Sequence, residues 1–454
     1  MRAQFAMAVL LLFAGFASAQ PAAGPAALPV LRPRGPLRLT HSARIAPGVY
    51  RIPAAPGQAA ITLAGDHLKL DLRGVTIESG AARPEARRGI GILAEGRQDV
   101  EIDGGAIHGY RFNLVCRDCA RLRIEGVNLD GSYAQRLVST ARHFDARDWV
   151  DIFHLRAWRQ YGAGLWLENV RRAWIHGVRA ESGQNGILLV FSRRVVLAAN
   201  QVSHNSGWGI GLFDSSDNLI VRNHADWDVR CETAAYSAGC DSAGMLLMEG
   251  SNHNQILHNS LQHSGDGFFL SRAPGGRASD DNLIAYNDAN FSPHNAFECT
   301  FSRGNRFIGN LADGSDYGFW LGFSRDLTLA SNRADNNRHD GAAIEHGQNN
   351  RLLYNFFYHN GHAGVRLFLR PPSPVRSFGY LISGNEFLGN RAGLILSQTT
   401  GVTLALNRFT DNRVALRLDA HTTAPAHYGN VYRSGAMEMR QTRIERRNRI
   451  TAVH

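Results

Sequence analysis

Five side chains in the second half of the chain are of the kinds that move protons or hold carboxylates: Glu298, Glu345, His294, His346 and Arg272. A carboxyl whose pKa is raised by its surroundings, or an imidazole near neutrality, can take a proton from carbon or give one to a leaving oxygen. A guanidinium pairs with a carboxylate through two parallel hydrogen bonds. Trp320 and Phe269 offer flat apolar rings, and Arg366, Asp214 and Glu249 would complete a set that binds a charged ring-shaped ligand. These residues are scattered through the sequence. Only an element that returns the chain repeatedly to one face could bring them together.

A repeat supplies that element. Aligned on a short strand that opens with glycine, the chain returns to Gly164, Gly186, Gly209, Gly244, Gly267, Gly318, Gly341, Gly364 and Gly393, with Ala296 and Ala415 in the same place in two further copies. Most intervals are 22 or 23 residues and the others carry insertions. Residues one and three after the glycine are apolar, as a strand with one face in a core requires. Later in each copy comes Asn200, Asn223, Asn259, Asn287, Asn310, Asn332, Asn355, Asn385 or Asn407, and five residues on a second polar column runs from Asn205 to Asn412. Stacked Asn side chains hydrogen-bond along a ladder of identical turns. The pattern predicts an all-β, single-stranded, right-handed parallel β-helix spanning 40–435.

The same alternation predicts which residues face outward. Two positions after the glycine stand Glu298, Trp320 and Arg366; four positions after it stand Glu168, Phe213, Met248, Ser271 and Glu345; at the strand end stand Asp214, Glu249, Arg272 and His346. The turns before the strand hold Asp241, Asp266, His294, Asp316 and Asp340. Rungs of a solenoid stack about 4.8 Å apart, which would place Glu298 and Glu345 roughly 10 Å apart along the axis. Insertions at 132–160, 227–243, 272–280 and 370–379 all flank this strand, and loops on a rigid scaffold are where sites concentrate.

This architecture resembles the pectin-lyase-like superfamily, which includes pectate lyases, polygalacturonases, alginate C5-epimerases and periplasmic copper-processing proteins. The resemblance covers nearly the whole chain after residue 40. It implies a groove along the first sheet that binds a uronate-containing polysaccharide, with lyase or C5-epimerase chemistry as the expectation. Ser292-Pro293-His294-Asn295 matches the Pro-His pair of the epimerases' Asp-Pro-His-Asp, without either acidic position. Asp214, Glu249 and Arg272 are similar to the calcium-and-arginine arrangement of pectate lyases, with two carboxylates in place of a larger cluster; calcium is therefore the cofactor to consider, and no other metal is expected. The Asn-Thr-Asp motif and Gly-Asp-Asp pair of polygalacturonases are absent. A glycoside hydrolase using paired carboxylates and a non-catalytic carbohydrate-binding or envelope scaffold remain alternatives.

The rest of the chain bears on compartment and partner. Arg2, the apolar run Ala6–Phe16 and Ala17-Ser18-Ala19 read as a secretory signal cleaved after Ala19, with an Ala/Pro-rich linker over 20–39 and a basic tail over 436–454. The expected protein is secreted or periplasmic, monomeric and without a transmembrane segment. In an oxidising compartment Cys231 and Cys240, which bracket an insertion, would close a disulfide, whereas a lone Cys116-x-x-Cys119 is a weak metal signal and Cys299 falls on a core position. His143, Asp145, Asp148, Asp151 and His154 share the 132–160 insertion with Trp149, Trp158 and Tyr161, which favours a groove-covering loop over a metal site. Histidines elsewhere are scattered, and no imidazole or thioether cluster for copper is evident. Net charge is +10, and Lys69 is the only lysine. Export turns that basic balance away from nucleic acid and toward an acidic polysaccharide.

Overall fold

A computed structural model describes residues 28–140, 142–231, 239–370, 373–433 and 436–439. The expected signal segment and nearly all of the basic tail lie outside them. Two sheets of 16 strands run the length of the molecule, accompanied by shorter sheets of three and five strands. Each strand pairs in parallel with the strands one coil before and one coil after. Among the described residues no helix is long and apolar enough to cross a membrane.

The strands that matter for the site belong to one long sheet. They are β1 (Ala163–Glu168), β2 (Asn185–Val190), β3 (Trp208–Phe213), β4 (Ala243–Met248), β5 (Asp266–Leu270), β6 (Asn295–Cys299), β7 (Tyr317–Trp320), β8 (Asp340–Glu345) and β9 (Ala363–Phe368). Leu165, Ile187, Ile210, Met245, Phe268, Phe297, Phe319, Ala342 and Val365 stack in register and are buried in the central core, as the alternation predicts. Cys299 lies in that core too.

The boundaries differ from the sequence reading at both ends. Val30–Leu31 pairs with Arg44–Ile45 and Leu37–Leu39 with Ile61–Leu63, so the first coil begins inside the expected linker. The strand Ala436–Met439 pairs with Val414–Leu418 and carries the sheet past residue 435.

The recurring glycines are not required for left-handed turns. A Cβ at Gly186 would stand 2.4 Å from the carbonyl oxygen of Gly209 in the next coil, and one at Gly318 would stand 2.5 Å from that of Gly341. Close stacking of coils, rather than backbone angle, excludes a side chain there.

The Asn ladder is continuous. From Asn200 to Asn407 each Nδ2 donates to the Oδ1 of the next Asn at 2.8–3.1 Å, ending on Asn430. The second polar column becomes an Asn ladder at Asn337, Asn360, Asn390 and Asn412. A third, through Asn218, Asn254, Asn282 and Asn305, was not singled out from the sequence.

The 132–160 insertion is a plug. Its helix α1 (Leu155–Tyr161) lies on the outer face of β1–β5, where Val150, Ile152, Trp158 and Tyr161 bury Trp166, Leu188, Trp208, Phe213, Leu246, Met248 and Phe269. The Trp158 ring sits 4.4 Å from that of Trp208, and a side chain at Gly211 would collide with it. Asp148 and Asp145 serve the loop itself: Asp148 accepts from the amides of Val138 and Ser139, and Asp145 pairs with Arg147. Cys231 and Cys240 form the expected disulfide.

Candidate functional site

Beyond the plug the outer face of the sheet changes character. In the column that runs Leu246, Phe269, Glu298, Trp320, Ala343 and Arg366, the residues up to Phe269 are buried, whereas Glu298, Trp320 and Arg366 are partly exposed. Phe269 is 6% exposed, so its ring belongs to the covered cluster and offers no open face to a ligand.

A second outward column precedes the glycines: Trp208, Ala243 and Asp266, then Asn295 and Tyr317 in the coils that follow. Counting by twos from Phe268 would turn Asp266 inward. Yet Trp208 and Ala243 of this column belong to the outer cluster under the plug, and the Asp266 carboxylate meets His294 and the Asn295 amide. Tyr317 accordingly meets Trp320 edge to face, with ring centroids 5.1 Å apart.

At the mouth of the plug these columns gather Asp241, Asp266, His294, Asn295 and Glu298. The buried Asp266 carboxylate accepts from the Asn295 amide at 2.9 Å and lies 2.9 Å from His294 Nδ1. Asn295 Nδ2 donates to Glu298 Oε2 at 2.7 Å, while the buried Asn295 Oδ1 has no partner. Burial, reinforced by the charge of Asp266, pushes the Glu298 carboxyl up to about 8. Asp241 is driven the same way, to about 7, by burial and then by Asp266. Burial works against the imidazolium of His294, but the charge and hydrogen bond of Asp266 outweigh it and hold that pKa at about 9. The carboxyls of Glu298 and Asp241 and the imidazole of His294 therefore exchange protons between about pH 7 and 9. Asp266, His294 and Glu298 can also each present one ligand atom, all within 4.8 Å of one another.

The other expected site residues are placed differently. His346 is buried, with Nδ1 2.8 Å from the Val375 carbonyl and Nε2 accepting from the Arg370 amide, so both ring nitrogens pin the 370–379 insertion. Glu345 lies 3.4 Å from His346 and 3.8 Å from Arg370. No hydrogen bond or ion pair among the described residues joins Glu345 and His346 to the Glu298 cluster. Glu249 accepts from the Ala273 and Arg277 amides, Asp214 pairs with Arg277, and Arg272 reaches the Gly276 carbonyl. That column organises the 272–280 insertion and does not form a joint calcium-and-base arrangement. Arg366 faces the groove with Nε donating to Asp340 at 2.7 Å. Asp241, Asp266 and Asn295 were not among the expected site residues, although two of them lay in the turns read as facing the groove. The signal for Asp266 was its place directly before a repeat glycine.

Comparison with known proteins places the chain. Solved structures similar to it include the A-module of the mannuronan C-5 epimerase AlgE6 of Azotobacter vinelandii (14% identity, 87% of this chain and 91% of that one, TM-score 0.43). A family 28 exopolygalacturonase of Yersinia enterocolitica (12%, 88% and 73%, 0.41) and the surface adhesin PfbA of Streptococcus pneumoniae (10%, 88% and 84%, 0.37) are similar in the same way. These are likenesses of coil architecture and carry no chemistry across. No curated protein matches the chain significantly. The family model described as periplasmic copper-binding protein (NosD) matches residues 72–261 and, in an overlapping second match, 244–437. The chain belongs to the NosD family of parallel β-helix proteins.

Proposed function

We propose that this protein is a periplasmic enzyme acting on a uronate-containing polysaccharide, with Glu298 as its acid–base residue. The observation that carries the reading is a carboxyl held mostly protonated at neutral pH on the open floor of a groove, beside a protonated imidazole and an aromatic ring. A uronate stacked on Trp320 would place its carboxylate where His294 neutralises it, which acidifies the adjacent C5–H. Glu298 in its ionised form takes that proton. In a β-elimination the C5–H and C4–O4 bonds break, the C4=C5 double bond forms, and the same proton passes from Glu298 to the departing O4. One residue suffices when both events occur on one face of the ring. Epimerisation would need a second donor on the opposite face, for which Asp241 and Tyr317 are the neighbouring candidates.

The test is incubation with alginate, polygalacturonate and glucuronan, followed by ultraviolet absorbance for unsaturated uronate, NMR for epimerised residues and an assay of reducing ends. Silence in all three sinks the reading. Where turnover is found, its pH profile should rise as Glu298 ionises near 8 and fall as His294 deprotonates near 9, an alkaline bell. A profile that peaks in acid would assign the proton transfer to other groups.

A second reading is favoured by the convergence of Asp266, His294 and Glu298 and by the copper in the family description. One imidazole nitrogen and two carboxylate oxygens suit a divalent transition metal such as Cu(II) or Zn(II), whereas Cu(I) prefers the sulfur donors that this set lacks. Bound there, the cation would supply Lewis acidity to a uronate carboxylate. Addition of either ion near pH 7 should release protons, because Glu298 and His294 must lose theirs to coordinate. Calorimetry in buffers of different ionisation enthalpy measures that release, and a value of zero would exclude this donor set.

A further inference from the structure

A cluster of arginines lies outside the groove, at the start of the strands Arg171–His176 and Arg193–Ala198 that follow β1 and β2. Arg171 and Arg193 are register partners in adjacent coils, flanked by Ala120 in the coil before and Ser216 in the coil after. Arg172 and Arg194 stand beside them, both in the left-handed backbone region that Arg121 and Asp217 also adopt. All four guanidinium-bearing residues are exposed, and among the described residues none has a side-chain hydrogen bond or ion pair. They line a shallow depression whose other walls are Ala120, Arg121 and Asp217, with no aromatic ring in it.

The neighbouring coil shows what such an arginine does when a carboxylate is in reach. Arg121 clamps Asp99, one coil back, through Nε at 2.6 Å and Nη2 at 2.7 Å. Arg172 and Arg194 have no acid in that place, because the residues behind them are Arg121 and Arg172. Their forks stay open.

We infer that this two-by-two array binds carboxylates of a linear polyuronate. Coils repeat every 4.8 Å or so, and a 1→4-linked polyuronate carries one carboxylate per ring, so a chain laid across the coils brings several carboxylates to the array. Guanidinium forks match carboxylates in geometry as well as charge. A membrane surface is the poorer partner, since interfacial sites place Trp, Phe or Leu beside their cations and this depression has none. The choice of a uronate rests on the reading of the groove; four open guanidinium groups by themselves specify only repeated anions. The array would hold the polymer while another stretch of it enters the groove.

The test is affinity electrophoresis through gels containing polygalacturonate or alginate, with dextran as the neutral control and phosphatidylglycerol vesicles in a flotation assay. The chain carries Glu298→Gln, so that nothing is consumed. Retention by both polyuronates, weakening with salt, is expected, and Arg171→Gln/Arg172→Gln/Arg193→Gln/Arg194→Gln should weaken it about 30-fold with thermal stability unchanged. The four Lys replacements should restore part of it, as charge without the fork. Full retention by the four-Gln protein overturns the inference, as does binding to vesicles without binding to polyuronate. If the protein with Glu298 intact turns over no polyuronate while retention still depends on the four arginines, the proposed function fails and the second site stands.

Discussion

Glu298→Gln is expected to lower turnover of a polyuronate by about 10²–10⁴-fold, the usual contribution of a positioned acid–base group. The amide keeps the shape of the side chain and its place above the groove floor, but it can neither take a proton from C5 nor pass one to O4. Binding measured at equilibrium should change little, so the loss falls on kcat rather than KM. Activity within about tenfold of the natural protein would remove Glu298 from the proton-transfer role.

The same substitution has a stability signature of definite sign. Glu298 has a folded-state pKa of about 8 against an ordinary 4.5, so the folded chain binds that proton more tightly than the unfolded chain. Stability from this group is complete below the ordinary value and is lost as pH rises through 8. His294 acts in the same direction between its ordinary 6.5 and about 9. The natural protein should therefore lose stability steadily from mildly acid to alkaline pH. Glu298→Gln should flatten the lower part of that decline and melt higher than the natural protein at pH 8. Parallel melting curves across this range would show that the Glu298 carboxyl keeps its ordinary pKa in the folded chain.

Asn287→Ala should destabilise the fold by about 3–6 kcal/mol, because several buried polar groups lose their partners at once. The Asn287 Oδ1 accepts from both the amide and Nδ2 of Asn259 at 2.9 Å, and its Nδ2 donates to Asn310 and to the Ile256 carbonyl. Truncation strands donors inside the coil where water cannot reach. Asn430, at the end of the ladder and only partly buried, among the described residues donates to a single carbonyl and accepts from Asn407 alone. Its replacement by Ala should cost about 1–2 kcal/mol. Urea unfolding of the two variants measures the difference. Equal effects, or a loss below about 1 kcal/mol at Asn287, would mean that the ladder is not a principal determinant of the stacking.

The periodicity alone was enough for the β-helix, the inward columns and the Asn turns, because each property is local and repeats with the coil. A residue one or three places after a glycine has the same neighbours in every copy, so a 22- or 23-residue period carries the answer. The outward positions of Glu298, Trp320 and Arg366 followed from the same rule, and so did the pairing of Cys231 with Cys240, since both ends of that insertion are fixed by the frame.

What the tertiary structure alone decided lies where the repeat is broken. The 132–160 insertion has no counterpart in other coils, and only its packing shows that α1 fills the groove over β1–β5, buries Phe269 and leaves the open floor to begin at Glu298. The place of Asp266 before a repeat glycine was legible, but only the folded chain brings its carboxylate against His294, where it outweighs burial, and near Glu298, where it adds to burial. His346, Glu249 and Arg272 have the residue types of a site but face loops that need their hydrogen bonds, and those partners come from insertions that no periodicity describes. A repeating sequence determines what stacks. Which of the stacked polar groups remain free for chemistry depends on the irregular segments that fold back across them.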